Sequence, residues 1–228
     1  MSFWDNWQRV LARVEQAAKR AGRSTSEIVI VAVSKTRTLE EIQAAFLAGQ
    51  RTFGENKPQE LCAKQQHLPQ ADWHLIGNLQ TNKVKYIAPF VQLIHSLDSN
   101  KLAVEINRQA EKNQRVISCL LQFNISNEPS KGGISHSELD VLLQQYPSLP
   151  NLRIEGLMGM AQETDNNQLI YKQFYSLFQL RERLLAEHKS ILGNLPILSM
   201  GMSNDFEIAI EAGATHIRIG SILFGNRA

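Results

Sequence analysis

Apolar residues fall along this chain in two patterns. Compact apolar runs occupy 28–34, 51–54, 73–77, 91–96, 116–125, 153–158, 196–200 and 215–220. They are short and rich in Val, Ile and Leu, which predicts strands buried on both faces. Between them, apolar residues recur every three or four positions, which predicts helices. Thr38-Leu39-Glu40-Glu41 reads as a capping box, Ile42, Ala45 and Phe46 form an apolar stripe, and Gly49 ends the helix. Ser135-His136-Ser137-Glu138 opens another helix in the same way, and Asn204-Asp205-Phe206-Glu207 opens a third that Gly213 closes.

Eight such strands alternating with helices predict an α/β fold, a single (β/α)8 TIM-like barrel spanning residues 1–228 with no second domain. The rival, an open doubly wound sheet, usually has fewer strands and a Gly-rich first turn that is missing here. An N-terminal helix from Ser2 to about Ala21 precedes the first strand. Its Trp4, Trp7, Leu11, Val14 and Ala18 share a face that is expected to pack against or across the barrel bottom, the alternative being a partner surface around the two Trp side chains. The polar stretches 127–133 and 162–168 are expected to be loops.

Composition narrows the function classes. A 43% hydrophobic content suits a packed core, and the net charge of +2 comes from scattered Lys and Arg. A nucleic-acid surface needs a clustered basic stripe, so that class is set aside. No apolar stretch approaches the roughly 20 residues of a membrane span, and Met1-Ser2-Phe3-Trp4-Asp5 has no signal-peptide character. Two cysteines, Cys62 and Cys119, lie outside any metal-spaced pair, and the six histidines are dispersed. A cytoplasmic location with free thiols and no metal site is expected.

Barrel active sites lie at the C-terminal ends of the strands, with phosphate sites often in the loops after strands seven and eight. At the end of strand one, six apolar residues, Ile28 to Val33, lead into Ser34-Lys35-Thr36. A lysine there either snorkels to water or projects into an apolar mouth, where desolvation favours the neutral amine that imine chemistry requires. After strand seven, Ser199-Met200-Gly201-Met202-Ser203 precedes a capped helix, and after strand eight comes Arg218-Ile219-Gly220-Ser221. Ser and Gly also serve ordinary turns, but the pair of loops favours a phosphate cradle. A reactive lysine beside a phosphate cup leaves two broad choices, a phosphorylated sugar substrate or pyridoxal phosphate.

Ordered motifs separate these choices. They are Ala32-Val33-Ser34-Lys35-Thr36, Phe53-Gly54-Glu55-Asn56, and Trp73-His74-Leu75-Ile76-Gly77 with Leu79-Gln80-Thr81-Asn82-Lys83. Asn124-Ile125-Ser126 with Ser130-Lys131-Gly132-Gly133, Gly156-Leu157-Met158, Ser199 to Ser203 and Arg218-Ile219-Gly220 complete the series. Through them the chain resembles the pyridoxal phosphate homeostasis proteins, relatives of the alanine racemase N-terminal barrel. The resemblance implies that Lys35 carries pyridoxal 5′-phosphate as an internal aldimine. It implies that Ser199, Met202, Ser203, Gly220 and Ser221 hold the phosphate, that Asn56 lies beside the ring hydroxyl, that Arg218 faces the pyridine nitrogen, and that Met158 lines the pocket.

Read as residues alone, Asn56 could instead cap the helix opening at Lys57-Pro58, Arg218 could pair with Glu211, and Met158 could fill core. His74 is expected to be a hydrogen-bonded interior histidine, and Lys131 sits in a motif with no physical account.

An arginine facing the ring nitrogen keeps its own proton and leaves a poorer electron sink, a handicap the barrel racemases offset with a second base, a tyrosine from an extra β domain. Tyr86, Tyr146, Tyr171 and Tyr175 all fall in or at the ends of expected helices, and the chain runs only three residues past Gly225. The expectation is a monomeric cofactor-binding protein acting in vitamin B6 homeostasis, delivery and amino-acid metabolism regulation, with no catalytic residues of its own. Apo-enzymes that need the cofactor, or a regulatory protein, are its possible partners. A racemase-like enzyme of unknown substrate and a lysine-dependent sugar-phosphate aldolase are the alternatives.

Overall fold

The computed structural model describes residues 3–126, 128 and 132–225. Ser130 and Lys131 of the fourth motif lie outside the described residues. Eight strands follow in order: β1 Val29–Val33, β2 Thr52–Glu55, β3 Asp72–Leu75, β4 Leu93–Leu97, β5 Ile117–Phe123, β6 Leu152–Gly159, β7 Ile197–Ser199 and β8 His216–Ile219. Every neighbouring pair is parallel, and β8 returns to β1, so the sheet closes into a barrel in sequence order. The closing register runs from Val29 opposite His216 to Ala32 opposite Ile219. Closure removes both sheet edges and excludes the open doubly wound alternative.

The helices are α1 Phe3–Arg20, α2 Leu39–Leu47, α3 Pro58–His67, α4 Val84–Ile87, α5 Asn100–Lys112, α6 His136–Gln145, α7 Asn167–Leu192, α8 Phe206–Glu211 and α9 Ser221–Phe224. Thr38 caps α2 with both halves of its capping box formed. Ser135 caps α6 through Glu138 N–H only, because the Glu138 carboxylate accepts from Asn100 N–H instead. At α8 the expected cap is redirected: Asp205 makes no side-chain bond to the helix and accepts from Met202 N–H at 2.5 Å.

α1 keeps part of the expected face, Trp7, Val14 and Ala18, but differs in the rest of it and in place. Val10, Val14, Ala17 and Ala18 are its buried residues, whereas Trp4 is 53% exposed. The spacing of those four is the tight i, i+4, i+7, i+8 stripe, and Trp4 and Leu11 fall beside it. The helix packs on the barrel flank against α2, α8 and α9 rather than across the bottom. Arg13 and Arg20 pair with Glu207 and Glu211 of α8, and Asn6 donates to the carbonyl of Leu223 in α9. α8 and α9 are short, with six and four residues, and α1 lies against both.

The main core lies between strands and helices, around Phe53, Trp73, Phe174 and Phe206. One glycine there is compelled by packing: a Cβ on Gly156 would stand 1.9 Å from the Ile197 carbonyl oxygen, so only hydrogen lets β6 and β7 pair. The barrel lumen holds a separate small cluster, Leu93, Leu120 and Met158. It also holds histidines: the rings of His74 and His216 lie 6.3 Å apart although β3 and β8 are not neighbours, so they meet across the lumen. This interior is more polar than the branched aliphatic layers usual in such barrels.

Candidate functional site at the C-terminal mouth of the barrel

β1 ends in a four-residue turn, Ser34-Lys35-Thr36-Arg37, closed by Arg37 N–H donating to the Ser34 carbonyl at 3.0 Å. Thr36 sits at φ 63, the left-handed region that β-branched residues avoid. This is the geometry of a type II turn, with Lys35 and Thr36 central. Three charged side chains lie under it. Lys64 Nζ donates to the Ser34 carbonyl at 2.7 Å, to Glu55 Oε1 at 2.6 Å and to Glu60 Oε2 at 3.2 Å. Ser34 Oγ donates to Glu55 Oε1 at 2.7 Å, and Thr36 N–H donates to Glu60 Oε2 at 3.0 Å. Burial pushes the Glu55 carboxyl up to about 7, against the opposing pull of Lys64 and Ser34. Glu60 ends below the usual carboxylate range: burial works against it, but the Thr36 N–H and its carboxyl and ammonium neighbours outweigh that.

Lys35 opens onto a cavity of about 1040 Å³ at the barrel mouth. Six of the nine residues expected at the site share its wall: Lys35, Met202, Ser203, Arg218, Gly220 and Ser221. The loops after β7 and β8 are tied together there, since Gly220 N–H donates to Ser203 Oγ at 3.3 Å. Within the loop after β7, Gly201 turns at φ 91, where a Cβ would stand 2.6 Å from Ala209 Cβ. The rim opposite comes from residues 161–165, with Gln162 N–H fixed to the Gln173 side chain at 2.8 Å.

The other three expected residues are not on that wall. Met158 is buried with Leu93 and Leu120 in the lumen. Asn56 follows β2 but does not cap α3, whose N-cap is Lys57 with Pro58 beyond it, so the helix-cap alternative for Asn56 falls away. Its backbone lies against Gly77, where a Cβ would come within 2.3 Å of the Asn56 carbonyl oxygen. Ser199 is fully buried, with its hydroxyl engaged inside the lumen.

That engagement has a direction. Arg218 Nη1 donates to Ser199 Oγ at 2.6 Å, and Nη2 donates to the Gly159 carbonyl at 3.1 Å. Guanidinium cannot accept, so the Ser199 proton goes to His95 Nδ1, 2.9 Å away. His95 then carries its proton on Nε2 and donates to His74 Nδ1 at 3.0 Å. The bonds of the row Arg218–Ser199–His95–His74 thereby run in one direction, and both imidazoles are neutral. Burial holds His74 down to about 3 and His95 well below its ordinary value, and His216 falls to about 4. Burial also lowers Arg218 to about 10, partly offset by the nearby Asp205 charge, so it stays cationic at neutral pH. Its alternative partner, Glu211, is taken by Arg20.

None of the four tyrosines reaches this mouth. Tyr86, Tyr171 and Tyr175 are exposed on α4 and α7, and Tyr146 closes α6 with its hydroxyl accepting from Ile154 N–H. Among the described residues, no cluster of three His, Cys, Asp or Glu could hold a metal, and no helix is long and apolar enough to cross a membrane. Sequence reasoning missed Glu60, Lys64 and His95, and quoted Glu55 without a role. A carboxylate at the end of a strand buried on both faces was the available signal, because such a charge needs a partner.

A barrel with a lysine after β1 and paired loops after β7 and β8 is of the alanine racemase type, and the family described as "Alanine racemase, N-terminal domain" matches residues 6–228. The chain is 42% identical to the "Pyridoxal phosphate homeostasis protein" of Aquifex aeolicus over 100% of its own length and 99% of that protein. The protein of the same name in Escherichia coli K12 is 38% identical over 97% of this chain and 95% of its own. PipY of Synechococcus elongatus PCC7942, solved with PLP bound, superposes with a TM-score of 0.81 at 34% identity, covering 93% of this chain and 100% of that one. An alanine racemase of Bacillus anthracis superposes at 0.72 with 17% identity over 98% of this chain and 56% of that one, a likeness of fold alone. This chain belongs to the pyridoxal phosphate homeostasis protein family.

Proposed function

We propose that this protein binds pyridoxal 5′-phosphate through Lys35 and acts in vitamin B6 homeostasis, holding and delivering the cofactor without efficient turnover of its own. The observation that carries this reading is that Lys35 opens onto one cavity with Arg218, Ser203, Gly220 and Ser221. A primary amine, hydroxyls on two adjoining loops and a buried guanidinium are the donor set that a phosphorylated aldehyde with a basic ring needs. The names of the relatives and the PLP bound to PipY support the same cofactor.

When bound, the cofactor supplies a reactive aldehyde carbon and an electron-accepting ring. Lys35 presents the amine. Ser203, Ser221, Met202 and Gly220 would hold the phosphate, and Arg218 would offer the ring nitrogen an N–H that it does not surrender. Ser199 acts through Arg218, whose guanidinium it holds. Asn56 would lie beside the ring hydroxyl and Met158 near the ring. The four tyrosines stand on helices away from the mouth, so none of them serves as a second base opposite Lys35, which favours storage and transfer over racemisation.

A cytoplasmic monomer that hands its cofactor to apo-enzymes, or signals its loading to a regulatory protein and so to amino-acid metabolism, fits this chemistry. The test is to record visible absorption of the purified protein, reduce it with borohydride and map the modified peptide. A pyridoxyl group on Lys35 supports the reading, and a colourless protein that refuses added pyridoxal phosphate overturns it. Racemisation or decarboxylation of an amino acid by the loaded protein at ordinary enzyme rates, about 1–10³ s⁻¹, would overturn the non-catalytic part.

A further inference from the structure

The Glu55, Lys64 and Glu60 side chains do not line the cofactor cavity, yet they form the most heavily charged buried feature near it. Glu55 has no exposed surface and the Lys64 side chain is 8% exposed. An ion pair in that position is costly to desolvate, and an apolar pair of the same volume would often serve stability as well. Packing alone therefore does not account for it.

What distinguishes the cluster is where its hydrogen bonds end. Ser34, directly before Lys35, is held twice, by its hydroxyl on Glu55 and by its carbonyl on Lys64. Thr36, directly after Lys35, is held by its N–H on Glu60. The three donors of the Lys64 ammonium are all used, on Ser34, Glu55 and Glu60. Both flanks of Lys35 are thus pinned to one charged unit reaching up from β2 and α3. Thr36 also keeps a left-handed conformation that a β-branched residue holds only when its surroundings impose it.

We propose that Glu55, Lys64 and Glu60 are positioning residues for Lys35: they fix the turn that aims its amine into the cavity, and so set how firmly the cofactor is held. This rests on the reading that pyridoxal phosphate is bound through Lys35. In that linkage Lys35 Nζ forms a C=N bond to the aldehyde carbon and one water leaves; release consumes one water or exchanges one amine for another, with no oxidation or reduction. A lysine held at the correct angle re-forms the bond faster than a competing amine can capture the aldehyde. A lysine on a loosened turn does not.

The test uses full-length protein loaded with pyridoxal phosphate, as wild type, Glu60→Gln, and the double variant Glu55→Gln/Lys64→Met. The double variant removes the buried pair without stranding a charge. Hydroxylamine is added, loss of the visible band is timed, melting temperature is recorded, and borohydride labelling of Lys35 is mapped in each protein. Replacing the charge-assisted bond to the turn by a neutral one corresponds to about tenfold faster stripping of Glu60→Gln. Its melting temperature should stay within about 4 °C of wild type, as for a change of about 1 kcal/mol or less. The double variant, if it folds, should strip at least as fast; if it does not, Glu60→Gln decides the matter alone. Stripping of Glu60→Gln within about twofold of wild type, with Lys35 still labelled, overturns the positioning role and leaves cofactor binding intact. Wild-type protein that carries no label on Lys35 overturns the functional reading and this inference with it.

Discussion

Replacing Lys64 by methionine should destabilise the protein strongly at pH 8 and only slightly at pH 5. The substitution takes away the one cation bonded to Glu55 and leaves that carboxyl with no exposed surface. In the wild type, burial already raises Glu55 from 4.5 to about 7. A carboxyl with a folded-state pKa above its unfolded value contributes stability that is fully present below 4.5 and lost as pH rises through 7. The difference, 7 − 4.5 = 2.5, corresponds to about 3 kcal/mol. Without Lys64 the folded pKa climbs further, so the loss deepens and extends to higher pH.

At pH 8, stranding a buried charge costs about 3–5 kcal/mol, or roughly 6–20 °C of melting temperature at this chain length. At pH 5 the carboxyl is protonated with or without Lys64, and the cost shrinks to about 1 kcal/mol for the lost hydrogen bonds. Urea unfolding of the cofactor-free proteins at pH 5, 6, 7 and 8 measures this. Glu55→Gln/Lys64→Met should show no such slope relative to wild type beyond the wild type's own Glu55 contribution. Equal destabilisation of Lys64→Met at pH 5 and pH 8 would refute the reasoning, because the cost would then owe nothing to the charge on Glu55.

Lys35→Ala should bind at most reversible pyridoxal phosphate and yield no borohydride-fixed adduct by mass spectrometry. Gly156→Ala forces a methyl to 1.9 Å from the Ile197 carbonyl oxygen, so β6 and β7 must part. A loss of about 3 kcal/mol, or 6–12 °C in a melting scan, is expected, or failure to accumulate as soluble protein. On the acid side the buried histidines act oppositely to Glu55. With folded values of about 3 for His74 and about 4 for His216, they contribute stability that is present above 6.5 and lost as pH falls. Urea midpoints of the wild type should therefore decline from pH 6.5 to pH 4, and His74→Phe should flatten that decline.

The barrel was legible because strands buried on both faces leave a period-free apolar run, and each of the eight predicted runs contains one observed strand within a few residues. Caps were legible where a hydroxyl bonds its own helix, as at Thr38. They were not where a long-range partner intervened: Asn100 lies 38 residues from Glu138 and takes its carboxylate, which local spacing cannot reveal. The α1 face was only partly legible: Val14 and Ala18 are buried and Trp7 packs against the core as expected, but Val10 and Ala17 join them while Trp4 and Leu11 stand exposed. At the site, the mouth residues followed from one rule about strand ends. The lumen row did not, because Ser199 and His95 are 104 residues apart and only barrel closure makes them partners.

The two ends of the site solve the problem of buried charge differently. Under Lys35, charge is met by charge: one ammonium stands between two carboxylates, and its protons are all accounted for. A unit of this kind is rigid while its protonation is intact and sensitive to pH near Glu55's raised value. Around Arg218 the groups bonded to the guanidinium are neutral instead, and the Asp205 charge stands nearby without a bond to it. A hydroxyl and a carbonyl accept from the guanidinium, and the histidines behind Ser199 are kept uncharged by burial, so the cation's field is spent on whatever occupies the cavity. A charged histidine behind Ser199 would have repelled the guanidinium toward solvent. The neutral row allows a permanent positive donor to stand at the wall of the mouth, and the charged cluster allows a lysine to be aimed at it from β1.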